Sequence, residues 1–185
     1  MKDVSDSIPT SKLTIPVGNR DHIQGPIDAP VTLLEYGDYE CRSCGEWHPI
    51  VKAIQQRLGE SLCFAFRHFP LTQMHPHAEH AAQAAEAAGA PGRFWEMHDL
   101  LFENQGALDD EGLARYAGAL RLDVHLFIAQ IASDAYTARI EEDFLSGVKS
   151  GVNGTPTFFI NGVRYDGTSG LDALLAVLTP LAQGR

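Results

Sequence analysis

Long apolar runs are missing from this 185-residue chain. Nothing in it approaches the roughly 20 consecutive apolar residues that cross a bilayer as a helix. Its opening, Met1-Lys2-Asp3-Val4-Ser5-Asp6-Ser7, is polar, where a secretory leader would have a basic start followed by an apolar stretch. The sequence as given is expected to hold neither signal peptide nor transmembrane helix. That points to the cytoplasm, or to the periplasm or another extracytoplasmic space if an export segment has been removed. Basic residues are few: 14 Lys and Arg against 24 Asp and Glu leave a net charge of -10. With no Lys/Arg cluster to follow a phosphate backbone, nucleic acid is not expected as a partner. Cysteine is scarce as well, and three residues of which only two are close in sequence do not make a disulfide framework. The close pair is expected to be reactive rather than structural.

What is present fits one well-filled domain, given 44% hydrophobic content over this length. Residues 1–12 read as a flexible polar tail, and the domain is expected over 13–182, with a short strand around Leu13 to Val17. Val31 to Tyr36 is an apolar strand. The helix that follows carries Trp47, Ile50, Val51, Ile54 and Leu58 at three- and four-residue spacing, and Gly59 closes it. Leu62 to Phe66, apolar at every position, is the next strand, covered on both faces, with Cys63 a buried inert thiol inside it. Two such strands joined by a helix make a right-handed βαβ unit with parallel strands. From about 70 to 150 only amphipathic helical patterns appear, including a stripe of Tyr136, Ile140, Phe144 and Val148. Thr157 to Ile160, Asn161-Gly162 and Val163 to Tyr165 then form a two-residue hairpin. Ser169-Gly170-Leu171-Asp172 is expected to cap a last helix whose Leu171, Leu174, Leu175 and Leu178 face inward.

The chemistry concentrates at Cys41-Arg42-Ser43-Cys44, at the junction of the first strand and the first helix. A helix start offers free backbone amides and the positive end of the macrodipole, both of which favour a thiolate. The thiolate is the nucleophile in thiol-disulfide exchange. Cys41, the outer residue, is the candidate attacker, and Cys44, one turn further in, the candidate resolver of the mixed disulfide. Arg42 favours a thiolate by charge and Glu40 opposes it, so Arg42 and Ser43 are the candidate tuning residues and the sign of the net shift stays open.

This order, βαβ, a helical block, then ββα, with Cys-X-X-Cys at the first strand-to-helix junction and Gly154-Thr155-Pro156 just before the third strand, resembles the DsbA-like family of thiol-disulfide oxidoreductases. The resemblance implies an α/β thioredoxin-like fold, βαβ and ββα halves around a mixed central sheet, with an inserted all-helical block. It implies that Cys41 and Cys44 form the redox-active disulfide, with no diffusible cofactor and no metal. It also implies a cis-proline at Pro156, with the Thr155 backbone pairing beside the disulfide with an extended substrate segment. Glu35, six residues before Cys41, matches a buried acid that moves the proton of the resolving thiol; as a plain Glu at a strand end it would point to solvent instead. Pro49 matches a helix proline whose effect is a kink. The implied partners are protein or peptide thiols and disulfides and a redox recycling partner, the chain itself being a monomer. Arg42 and Ser43 depart from the family, many members of which have proline or histidine there.

Two other readings compete. A metal-binding or delivery module would use Cys41, Cys44 and His48, or the cluster His75, His77 and His80. A glutathione-dependent transferase or isomerase would share the fold with its helical insertion, but such relatives tend to use a hydroxyl at the active position, which the intact cysteine pair argues against. The remaining candidates have structural expectations: Trp47 packs under the motif, Asp38 caps a helix, His68 ends a strand, and His77 and His80 sit on a solvated face or cap.

Overall fold

Two runs apolar at nearly every position, β2 (Val31–Gly37) and β3 (Leu62–His68), lie side by side in parallel, with Leu33 opposite Phe64 and Glu35 opposite Phe66. They are the centre of a five-stranded mixed sheet in the computed structural model, which describes residues 11–184. The sheet order is β1-β3-β2-β4-β5, where β1 is His22–Gln24, β4 Thr157–Ile160 and β5 Val163–Arg164. All pairings other than β2 with β3 are antiparallel. Helix α1 (Arg42–Leu58) crosses between the two central strands, and α2 (Ala78–Gly89), α3 (Phe94–Glu103), α4 (Asp110–Ala119), α5 (Val124–Ala132) and α6 (Thr137–Lys149) form the inserted block. Helix α7 (Leu171–Ala182) follows β5 and packs on α1. No helix among the described residues is long and apolar enough to cross a membrane.

Because β2 and β3 sit mid-sheet, alternate side chains feed two separate cores. Val31, Leu33, Phe64 and Phe66 join the larger one, with α1, α3 and α7. Leu34, Tyr36, Ala65 and Phe159 join a smaller one on the opposite face, with Phe69 and Val152. Glu35 therefore emerges on the same face as Leu33, toward the start of α1, with both sheet faces covered.

Three expectations are corrected. Leu13 to Val17 forms no strand. The carbonyls of Ile15 and Pro16 accept hydrogen bonds from the buried Arg67 guanidinium at 2.9 and 3.1 Å, so the segment lies over the small core as a lid rather than joining a ladder. The antiparallel edge is instead β1, three residues that carry no strand pattern of their own and extend by pairing with β3. Strand β3 also runs two residues beyond the apolar stretch, because Arg67 finds a fully buried partner in Asp21 through two hydrogen bonds of 2.8 and 3.0 Å. The third correction concerns α7, which begins with Gly170 in the N-cap position and without a side-chain cap, so Ser169 does not play that part. The hairpin turn has Asn161 and Gly162 both at positive φ, 47° and 79°, as a type I′ turn requires. Of the polar tail expected over 1–12, residues 1–10 lie outside the described residues, while Ser11 and Lys12 are bonded to β5.

Candidate active site

Strand β2 ends at Gly37, three residues turn, and Cys41 takes the N-cap position of α1 with extended backbone angles and no side-chain cap. The first amides of α1 are therefore left to face the Cys41 sulfur, and those of Ser43 and Cys44 do so. Cys41 is 9% exposed and Cys44 is completely buried one turn inward, under the aromatic floor of the larger core. Both are free thiols, as is the buried Cys63 in β3, whose own thiol is pushed up by burial.

The two sulfurs have opposite ionisation. Cys41 is lowered from 9.0 to about 5, chiefly by the hydrogen bond from the Cys44 thiol, against the opposing effect of burial. The Thr155 side chain and the Cys44 and Ser43 amides add to the lowering. As a neutral thiol, Cys41 donates to the Thr155 carbonyl oxygen at 3.4 Å. When the proton leaves, that carbonyl no longer helps, and the Thr155 hydroxyl, whose oxygen is buried without a partner, is the donor available to the sulfur. Cys44 is raised well above 9.0, first by burial, then by the hydrogen bond to Cys41 and the charges of Glu35 and Cys41.

Glu35 is 2% exposed. Burial, and then the Cys41 charge, raise its carboxyl from 4.5 to about 8, and its Oε1 has no hydrogen-bond partner. Space around it is tight, since a Cβ added to Gly37 would lie 3.2 Å from Oε1 and 2.4 Å from the Phe66 ring. The carboxyl is thus a nearly neutral acid at pH 7, beneath the cysteine pair, with one oxygen unengaged.

The third wall is the loop before β4, where the Thr155–Pro156 peptide bond is cis. Thr155 and Pro156 line a groove of about 330 Å³ together with Ser43, Trp47, Arg164 and Tyr165. Trp47 is half-buried, its ring 4.9 Å from that of Phe158, so it both packs beside the motif and forms part of the groove wall.

Residues to which the sequence assigns no part in the site hold this arrangement together. The Gln105 amide donates to the carbonyls of Tyr39 and Cys41, each at 2.8 Å, and it fits only because residue 45 is glycine: a Cβ there would lie 2.2 Å from Gln105 Oε1. Buried Tyr39 packs at a tilt against Phe66 and Phe102 and its hydroxyl meets His98 Nδ1 at 3.0 Å. Asp38 is no helix cap. Its buried carboxylate accepts from the Glu40 amide at 2.8 Å, the Leu71 amide at 2.8 Å and His75 Nδ1 at 2.7 Å, stitching the loop after β3 to the turn before Cys41. No periodicity or spacing marks loop-to-loop contacts of this kind.

Other sequence candidates separate. Arg42 is 91% exposed at its side chain and paired with Glu46, so its charge is turned along the helix surface rather than onto the sulfur. Cys41, Cys44 and His48 do not come together as a ligand set; the ligand-type side chains that do converge among the described residues are His48, His98 and Asp99, and there Lys52 already lies 2.6 Å from Asp99. The His75 and His80 rings diverge to Asp38 and Asp110, and His77 meets Glu40 only through its backbone amide. His68 ends β3 as expected, buried, with Nε2 2.9 Å from Glu86.

A family model described as Thioredoxin matches residues 18–179. Among curated proteins, the Na(+)/H(+) antiporter NhaA 1 of Salinispora arenicola is 46% identical over 173 residues, which is 93% of this chain and 26% of that protein. The chain thus spans about a quarter of the length of the curated relatives it matches. Among solved structures, oxidised BdbD from Bacillus subtilis superposes with a TM-score of 0.84 at 22% identity, over 95% of this chain and 98% of its own. Wolbachia pipientis alpha-DsbA1 does so with a TM-score of 0.80 at 22% identity, over 93% and 95%. The family model covers nearly the whole chain and the superpositions share its sheet and inserted helices, and the chain belongs to the thioredoxin family, with the fold of its DsbA-like members.

Proposed function

We propose that this chain is a thiol-disulfide oxidoreductase that exchanges a Cys41–Cys44 disulfide with protein or peptide thiols. The observation that carries the reading is the opposed state of the two sulfurs: Cys41 held ionised at the edge, Cys44 held protonated beneath it. In the reducing direction, the Cys41 thiolate attacks one sulfur of a substrate disulfide. An S–S bond forms to Cys41, the substrate S–S bond breaks, and one substrate thiolate leaves and takes up a proton. Cys44 then loses its proton and attacks Cys41, releasing the second substrate thiol and leaving the Cys41–Cys44 disulfide. Two electrons have passed to the substrate, and the reverse sequence oxidises a substrate dithiol.

Glu35 is the proposed acceptor of the Cys44 proton. Once Cys41 is in a mixed disulfide its charge is gone, and that charge is one of the causes raising both Glu35 and Cys44. Both groups then ionise more readily when the resolving step needs it. Thr155 and Pro156 are the proposed substrate platform, with an extended segment pairing along the Thr155 backbone. A lowered Cys41 favours the dithiol state and hence an oxidising disulfide. Equilibrium against a glutathione couple tests that direction, and a ratio favouring the disulfide would reverse it.

The test of the activity is dithiothreitol-coupled reduction of insulin. Cys41→Ser is expected to abolish exchange, and Cys44→Ser to accumulate a mixed disulfide on Cys41; full activity of the Cys41 variant would refute the mechanism. The adduct trapped on the Cys44 variant also names the partner when identified by mass spectrometry. Antiporter chains that contain a relative of this domain are one class to look for there.

A further inference from the structure

Two histidines meet a carboxylate where α1 packs on α3, and none of the three takes part in the proposed exchange. His48, His98 and Asp99 each bring one ligand-type atom within 4.8 Å of the others. His48, one turn after Cys44 on α1, is 8% exposed, and its ring stacks on that of Phe102 with centroids 5.2 Å apart. Its Nε2 stops 3.5 Å from Asp99 Oδ1, beyond the length of a good hydrogen bond, and neither of its ring nitrogens is hydrogen-bonded among the described residues. A polar ring is thus buried, oriented by stacking and aimed at a carboxylate with no bond to satisfy it. His98, also buried, meets the Tyr39 hydroxyl through Nδ1 at 3.0 Å, which fixes the ring and leaves Nε2 without a hydrogen-bond partner among the described residues. Burial holds both imidazoles below their ordinary value, so each keeps a lone pair at pH 7. Asp99 is the accessible member, with Oδ2 on Lys52 Nζ at 2.6 Å and Oδ1 turned to His48.

We propose that a ring nitrogen of His48, a ring nitrogen of His98 and a carboxylate oxygen of Asp99 form a site for a divalent transition-metal ion of the zinc class, which ties the cysteine-bearing helix α1 to α3 of the inserted block. Two imidazoles and a carboxylate suit zinc and its neighbours, whereas calcium and magnesium call for oxygen ligands. Zinc bonds of about 2.0–2.1 Å in a tetrahedron set ligand atoms roughly 3.3 Å apart, so the 3.5 Å pair is already at that spacing and the widest separation has to close by roughly 1.5 Å through side-chain rotation. Lys52 neutralises the carboxylate meanwhile; partly exposed on a flexible stem, it can swing to water when a dication takes over that charge. The Tyr39 hydroxyl is the outer partner that orients His98. Three protein ligands leave a fourth position for water. No thiol is among the ligands, so the site exists in the dithiol and disulfide forms alike and does not depend on exchange at Cys41.

Calorimetric titration of zinc into the full chain tests this, with the Cys41–Cys44 pair closed as a disulfide so that its thiols cannot bind. One equivalent is expected, and the same in a Cys41→Ala, Cys44→Ala double variant. Tyr39→Phe, which removes only the outer partner of His98, should weaken binding roughly tenfold. Asp99→Asn and His48→Gln should each weaken it further than that, and Lys52→Gln should tighten it by removing the competing charge. Cobalt(II) in place of zinc should give visible d–d bands without a thiolate charge-transfer band. Failure to bind one equivalent overturns the proposal. So does binding left unchanged by both Asp99→Asn and His48→Gln, the result expected of an ion held on surface histidines such as His77 and His80. Should His48→Gln not fold, Asp99→Asn and Lys52→Gln, both at partly exposed positions, decide, and unchanged affinity in both overturns it. Neither failure touches the reading of Cys41, which stands or falls on the exchange assay.

Discussion

Replacing Glu35 by Gln removes a buried ionisable group while keeping its shape, and its effect on stability should depend on pH in a defined direction. The folded carboxyl titrates near 8 against 4.5 when unperturbed. A carboxyl raised on folding carries no penalty below its unfolded value, an increasing one as pH climbs between the two values, and a constant one above the folded value. At about 1.36 kcal/mol per pH unit, the full penalty is about 4–5 kcal/mol, of which about 3 is present at pH 7. The difference in unfolding free energy between Glu35→Gln and wild type, both reduced, should therefore be flat below about pH 4.5 and rise in favour of the variant up to about pH 8. Titration of Cys41 occurs in both proteins and largely cancels in the difference. Urea unfolding followed by circular dichroism at half-unit pH steps measures it. The Cys41 charge is the second cause of the raised value, so the same difference taken in a Cys41→Ser background should level off at a lower pH and reach a smaller total. A difference independent of pH, or one that grows toward acid, would refute the assignment of Glu35 as a desolvated carboxyl.

Arg67→Met should destabilise the fold by about 3–5 kcal/mol in chemical unfolding, because it leaves the Asp21 carboxylate buried without its cation; adding Asp21→Asn should recover part of the loss. Gln105→Ala removes two hydrogen bonds that hold the carbonyls of Tyr39 and Cys41, a loss of about 1–3 kcal/mol. Gly45→Ala displaces the same side chain, so the double variant should cost clearly less than the sum of the two singles. Gly37→Ala drives a methyl group into the Phe66 ring, for about 1–3 kcal/mol measured by thermal melting and a changed Glu35 titration.

The parts of the fold that read directly from the sequence are those whose patterns are local. Continuous apolar runs mark β2 and β3, three- and four-residue spacing marks α1, and Asn161-Gly162 marks the hairpin. Strand β1 is invisible because pairing with β3 extends it, not its composition. The apolar Leu13 to Val17 misleads for the converse reason, since its carbonyls go to Arg67 and not to a ladder. At the site, the cysteine pair and Pro156 are legible as motifs, and Glu35 is legible through strand alternation once both sheet faces are covered. Side-chain direction is not legible. Arg42 looks like the tuning charge but turns to Glu46, whereas the groups that lower Cys41 are a neighbouring thiol, a hydroxyl and two amides, none of which has a charge signature in sequence. Gln105 reaches the Cys41 carbonyl from a loop 64 residues further along the chain and His75 reaches Asp38 across 37, distances over which no local pattern operates.

One thiol is ionised and offered while the other is protonated and withheld. This opposition is tested most directly by the rate of iodoacetamide alkylation against pH, with each modified cysteine located by mass spectrometry. Cys41 is expected to react with a midpoint near pH 5 and to reach a plateau by about pH 7, with Cys44 unmodified throughout. A Cys41 rate still climbing through pH 8 to 9 like an ordinary thiol, or Cys44 alkylated as fast as Cys41, would contradict it.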